Sequence, residues 1–162
     1  MKRTFYLWLL PLLWTTCSLF SFQFPGDEYA MYAISSMAGA WVLFFIKNAG
    51  DIHDLIFRGS IALTGAVTMT LFGVLMDRLR IRKVVWGFIF LAASVAIFIL
   101  SIKAYPTIDK ALRKNGSWWA YIFFAINMGL YCSVFLSFIA KGIESAWRRN
   151  RRINQPLPGG DA

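Results

Sequence analysis

The chain has 162 residues, of which 58% are hydrophobic, 17% aromatic and only 15% charged, with a net charge of +9. A soluble domain of this size leaves much of its surface wet and carries about one-quarter charged residues, so this composition excludes an ordinary water-soluble globule. The basic balance does not point to nucleic acid either: Lys and Arg flank apolar runs instead of forming a basic face interleaved with aromatics, and no specific nucleic-acid partner is expected.

Five apolar runs follow one another along the chain. The first covers residues 5–24 behind Lys2 and Arg3. A secretory signal peptide also starts this way, but this run is long, aromatic and interrupted by Pro11, and it lacks good small residues for cleavage. Trp14-Thr15-Thr16 ahead of Cys17 is a poor lipobox, so an uncleaved first helix is expected. The second run, residues 30–46, is marginal in length for crossing a bilayer. The third (59–76), fourth (84–102) and fifth (118–140) fall within the roughly 17–25 residues that a spanning helix needs. Barrel strands would show alternating segments of about ten residues, and these runs are longer and apolar all round.

Orientation follows from the distribution of Lys and Arg. With five crossings the two faces carry about 8 and 9 basic residues, which is no bias. If the second run does not fully cross, one face collects Lys2, Arg3, the cluster Arg78, Arg80, Arg82 and Lys83, and the terminal cluster from Lys141 to Arg152, about 11 against 6. The expected fold class is therefore an all-α polytopic membrane helical bundle, with four spanning helices plus one short re-entrant or fifth spanning helix. Both termini are expected in the cytoplasm, in a single membrane domain over 1–152 with a disordered tail over 153–162. Ser35, Ser36, Ala38, Gly39 and Ala40 suit the second run to close packing. Residues 103–117 predict a short surface helix opened by Pro106 and ended at Asn115-Gly116. Tyr105, Trp118 and Trp119 are expected at one membrane interface, with Trp86 and Trp147 near the other. From Lys141 the fifth run should continue as a basic helix.

Candidate chemistry is sparse. Asn127 falls near the middle of the fifth run, where an amide must face protein. Ala125, Gly129, Ser133 and Ser137 recur every four residues beside it, a small-residue stripe that lets another helix approach closely. Asn127, Gly129, Ser133 and Ser137 are thus candidates for helix packing or for a partner contact. In the third run, Ala62 with Ala66, and Gly65 with Met69 and Gly73, form similar faces, while Thr64, Thr68 and Thr70 can return hydroxyl bonds to the backbone. Asp51, His53 and Asp54 form the one carboxylate–histidine cluster, read as a polar loop capping the next helix and as a candidate partner surface. It has too few ligands for a metal site. Cys17 and Cys132 read as small apolar residues, without disulfide or metal spacing. No catalytic motif occurs, and no charge lies deep in a strong run, so neither enzyme activity, nor a cofactor, nor a metal is expected.

Two resemblances extend this picture. Residues 73–83 resemble the loop between the second and third helices of major facilitator superfamily transporters, whose pattern is G-x-L-x-D-R-x-G-R-R/K. Gly73, Leu75, Asp77, Arg78 and Lys83 match, while Arg80 replaces the second Gly and Ile81 stands where an Arg belongs. The likeness covers one loop of a chain far too short for a twelve-helix transporter, and what it implies is a cytoplasmic hairpin. In length, layout, basic balance and lack of catalytic residues, the whole chain resembles phage superinfection-exclusion membrane proteins and, more loosely, immunity proteins against pore-forming colicins. That resemblance implies a non-enzymatic inner-membrane protein that blocks passage of incoming phage DNA or of a toxin pore. Its partners would be the lipid bilayer and another membrane protein or a phage component, met through residues 51–58 and 103–117. A small carrier or channel subunit is the alternative, assembled as a homo-oligomer around Asn127 and the Thr-rich third run.

Overall fold

The computed structural model of the protein describes residues 4–21, 54–104 and 118–153. The regular elements among them are all α-helices: α1 is Phe5–Ser21, α2 Asp54–Arg78, α3 Lys83–Ala104 and α4 Trp118–Ile153. Three are long and apolar enough to cross a membrane, over Arg58–Arg78, Lys83–Lys103 and Tyr121–Ile153, while α1 is a shorter apolar helix. The expected re-entrant run over 30–46, the surface helix within 105–117 and the tail after 153 lie outside the described residues.

The helices are oriented by their ends. Tyr6 of α1 meets Asp77 at the end of α2, and Trp14 meets Ala62 near the start of α2, so α1 and α2 are antiparallel. The Trp14 ring also lies 5.9 Å from Tyr131, and Phe20 stacks on Phe123 at 5.5 Å, so α1 is antiparallel to α4 as well. Tyr6 and Trp86 meet edge to face at 5.6 Å, which puts the starts of α1 and α3 at the same end.

A tight turn joins α2 to α3. The Ile81 N–H donates to the Met76 carbonyl at 3.2 Å and the Arg80 N–H to the Asp77 carbonyl at 3.3 Å, the paired bonds of a Schellman ending. This ending needs one residue in the left-handed region, and Arg80 supplies it with φ 52°. Ile81 then packs on the core that contains Met76, as the apolar contact of such an ending requires.

Burial runs opposite to that of a soluble helical protein. On α2 the inward residues include Ile61, Gly65, Met69 and Gly73, whereas Leu63, Val67, Leu71 and Leu75 form an exposed stripe. Four large aliphatic side chains thus point out, and the inward face carries two glycines beside Ile61 and Met69, an arrangement that is favourable where lipid surrounds the bundle and close backbone approach holds it together. The core is built by Tyr6, Leu10 and Trp14 of α1, by Ile61, Met69 and Met76 of α2, by Trp86, and by Leu130, Tyr131 and Val134 of α4. Trp86, in the first turn of α3, is buried and stacked on Phe90 at 5.5 Å, because the start of α1 covers it. Trp119 and Trp147 are exposed.

α4 runs 36 residues without a break, about 54 Å at 1.5 Å per residue. That exceeds the roughly 30 Å hydrocarbon core of a bilayer, so its basic stretch from Lys141 onward projects past the apolar part as one continuous helix. The α2–α3 turn packs beside it, with Arg82 near Lys141 and Arg148. Arg78, Arg80, Arg82 and Lys83 of the turn therefore share one end of the bundle with Lys141, Arg148, Arg149, Arg151 and Arg152, while Arg58 and Lys103 lie toward the other.

Candidate functional site

The loop motif over residues 73–83 proves to be a clasp on the start of α1. The first N–H groups of any helix lack internal partners, and in hydrocarbon or at its edge they must find others. Asp77 provides them: Oδ1 accepts from the Tyr6 N–H at 3.2 Å and Oδ2 from the Leu7 N–H at 2.9 Å. A carboxylate there is also favoured by the positive end of the helix dipole. The Tyr6 hydroxyl donates to the Ile81 carbonyl at 3.2 Å, and the Lys83 ammonium sits 3.9 Å from the centroid of the Phe5 ring. Three residues from the end of α2 through the start of α3 thus hold the first turn of α1.

Two glycines set the distance between α1 and α2. A Cβ on Gly73 would lie 2.5 Å from the Tyr6 carbonyl oxygen and 2.8 Å from the Leu7 Cα, so the two backbones touch here. A Cβ on Gly65 would fall within the Trp14 indole. That indole is fully buried and its Nε1–H donates to the Ala62 carbonyl at 3.0 Å, a bond that satisfies the donor Trp carries into an apolar interior. The packing face read from Gly65, Met69 and Gly73 thus receives α1.

The α4 stripe faces inward. Asn127, Ser133 and Ser137 are 1%, 0% and 3% exposed, and Gly129 is buried. Gly129 lies against Ser94 of α3, whose Cα would be 2.9 Å from a Cβ at that position. The Ser133 hydroxyl donates to the Leu130 carbonyl at 2.9 Å. The stripe is thus occupied by packing within the chain, with Gly129 at the closest approach of α3 and α4. The hydroxyls of Thr64, Thr68 and Thr70 each donate to the carbonyl four residues earlier, at 2.8 Å.

Asp51 and His53 lie outside the described residues, and so does the side chain of Asp54, which opens α2. The polar cluster they were expected to form therefore lies outside the described residues. Arg58, read from sequence as a charge flanking the third run, is only 8% exposed. Nothing in its spacing distinguishes a flanking guanidinium from a buried one. Cys17 is buried, Cys132 is half-buried, and no disulfide joins them. Among the described residues no three His, Cys, Asp or Glu side chains converge in a way that would hold a metal ion.

Asp77, Tyr6, Trp14 and Ser94 were not singled out by sequence reasoning for the contacts they make. The transporter-like pattern did mark Asp77, and its second Gly falls where Arg80 now adopts a left-handed conformation. Comparison of the chain with protein-family models, with curated proteins and with solved structures gave no match.

Proposed function

We propose that this chain is a small non-enzymatic integral membrane protein of a bacterial inner membrane, which docks on another membrane component and blocks its action. The observation that carries this reading is the exposure of α3. It is the most apolar of the candidate spans, with a mean hydropathy of 2.5, yet only 6% of its apolar stretch is buried within the chain. Phe88, Leu91 and Val95 are 70%, 61% and 51% exposed. Such a helix offers a long smooth apolar face to lipid or to a helix of another protein, and binding energy in membranes comes from packing of this kind.

The basic end of the bundle supports a cytoplasmic placement of the α2–α3 turn and of the α4 extension under the positive-inside rule. The process blocked, following the layout resemblance, is entry of phage DNA or opening of a toxin pore. A carrier or channel draws less support: the Thr hydroxyls of α2 are committed to their own backbone, and Asn127 is buried in packing.

Two experiments on the full-length protein divide these readings. Reconstituted in liposomes it should pass no ion or small solute, and a reproducible flux abolished by Asn127→Leu would establish the carrier reading instead. In cells, Phe88→Ala with Leu91→Ala should abolish protection against phage or toxin at unchanged membrane levels. Full protection by that variant would remove α3 as the docking face.

A further inference from the structure

The outer part of α4 carries an apolar stripe that no described residue covers. Leu136, Ile139, Ile143, Ala146, Asn150 and Ile153 follow one another at spacings of three, four, three, four and three residues, and all six are exposed. This is the pattern of a coiled coil, with Leu136, Ile143 and Asn150 at the a place of successive heptads and Ile139, Ala146 and Ile153 at the d place. The stripe carries no charge. Lys141, Arg148, Arg151 and Arg152 fall on other sides of the helix, and only Arg149 borders it. Glu144, also off the stripe, accepts from Lys141 and Arg148, and these three line one cleft with Arg82 of the α2–α3 turn. The charged side of the extension thus faces the rest of the bundle, and the apolar side faces away.

Lipid covers only the inner part of this stripe. α4 is unbroken as far as Ile153, which stands about 20 Å beyond Ala140, the end of the apolar run, along the helix axis. The headgroup layer adds about 5–8 Å to each side of the hydrocarbon. Ile143 lies within that layer, whereas Ala146, Asn150 and Ile153 lie past it, where an apolar stripe is stable only under another surface. Leu136, Ile139, Ile143 and Ile153 are 47%, 59%, 65% and 72% exposed. These four side chains offer on the order of 450 Å2 per chain, about 900 Å2 over two copies. With Ala146, Asn150 and the flanking Trp147, which are also exposed, the total reaches the roughly 1,200 Å2 at which specific interfaces begin.

We infer that this stripe binds the same stripe of a second copy of the chain, as a parallel two-helix coiled coil whose two-fold axis runs along the membrane normal. Both copies enter the membrane with the basic end on the same side, so the two helices are parallel and residues of equal number stand at equal height. Each a or d side chain then meets its own counterpart. Ile143 at an a place favours two strands. Asn150, at the next a place, meets Asn150 of the second copy, where one amide donates and the other accepts. A single polar residue at such a place fixes register and strand number at some cost in stability. The stripe is short for a free coiled coil, but the membrane already holds the two helices parallel and level, which removes much of the freedom that association otherwise costs. A different protein would have to bring a matching amide to the height of Asn150, and a second copy does so without further condition. The inference does not depend on what α3 meets, because α3 packs on the cleft side of α4.

Oxidative cross-linking of the full-length protein in its native membrane tests this, with single cysteines in a Cys17→Ala, Cys132→Ala background. Ile143→Cys, Ala146→Cys and Asn150→Cys should form disulfide-linked dimers severalfold faster than Ser145→Cys and Arg152→Cys on the far side of the helix. Only the stripe brings Cα atoms of equal number within the roughly 4.4–6.8 Å that a disulfide spans. Equal rates at all five positions, or faster linkage at Ser145 and Arg152, would overturn the assignment. Ile143→Asp with Ile153→Asp should abolish the dimer, counted by single-molecule photobleaching in liposomes at low protein density, while the bundle keeps its unfolding midpoint in mixed micelles. Asn150→Val should still associate and admit trimers beside dimers. A dimer that survives the double Asp variant would contradict the proposal. So would Ile153→Cys linked to a different protein, which would give the stripe to another partner. Ile153→Cys reached by a lipid-soluble maleimide but shielded from a water-soluble one, in a monomeric chain, would give it to the bilayer instead.

Discussion

The two seams of the bundle are built differently. Between α1 and α2 the chain uses Gly73 against the Tyr6–Leu7 backbone, Gly65 against Trp14, the Trp14 bond to Ala62, and the Asp77 carboxylate on two amides of α1. Between α3 and α4 the described close approach is Gly129 against Ser94; along the same face of α3 Phe90, Ile97 and Phe98 are half-buried, while Phe88, Leu91 and Val95 on the other face stay open. The first seam is a lock made of directional bonds and backbone contact. The second holds a helix in place while leaving most of its surface available. In a medium where apolar burial drives little association between helices, this contrast separates the part of the molecule that maintains the fold from the part free to meet something else.

Substitutions that break the lock should have the largest effect. Gly73→Val forces two backbones apart and should lower stability by about 1–3 kcal/mol, read by unfolding in mixed detergent micelles. An unchanged midpoint would mean that α1 does not lie against α2 as described. Asp77→Leu leaves two α1 amides without an acceptor and should cost about 1–3 kcal/mol, with Asp77→Asn milder because one oxygen remains. Equal effects of the two variants would remove the carboxylate-specific cap. Gly129→Val tests the other seam. Only one close approach is strained there, and Ser94 presents its side chain as well as its Cα, so a loss of about 1 kcal/mol is expected. A loss larger than that of Gly73→Val would invert the comparison. Arg80→Gly has the opposite sign: it relieves the left-handed residue of the α2–α3 turn and should raise stability by roughly 0.5–1 kcal/mol. Destabilisation instead would indicate that the Arg80 side chain makes a contact worth more than the backbone relief.

The apolar runs over 59–76, 84–102 and 118–140 were legible because a greasy stretch of about 20 residues has one stable form in lipid, and each lies within a described helix. Gly65, Met69 and Gly73 were legible as a packing face because small residues at helical spacing admit a neighbour. Which neighbour was not legible: the bonds from Tyr6 and Leu7 to Asp77 join residues about seventy positions apart, and no local period encodes such a pairing. The burial of Trp86 was not legible for a related reason. Whether an aromatic residue at a helix start is exposed depends on whether another helix covers it, and here α1 does.

The account rests on the bundle standing in a membrane with its basic end on one side. Single cysteines in a Cys17→Ala, Cys132→Ala background test this most directly, through a membrane-impermeant maleimide applied to right-side-out and inverted vesicles. Arg80→Cys and Arg149→Cys should label together in inverted vesicles and be protected in right-side-out ones, with Lys103→Cys showing the reverse. Labelling of all three from the same side would contradict it.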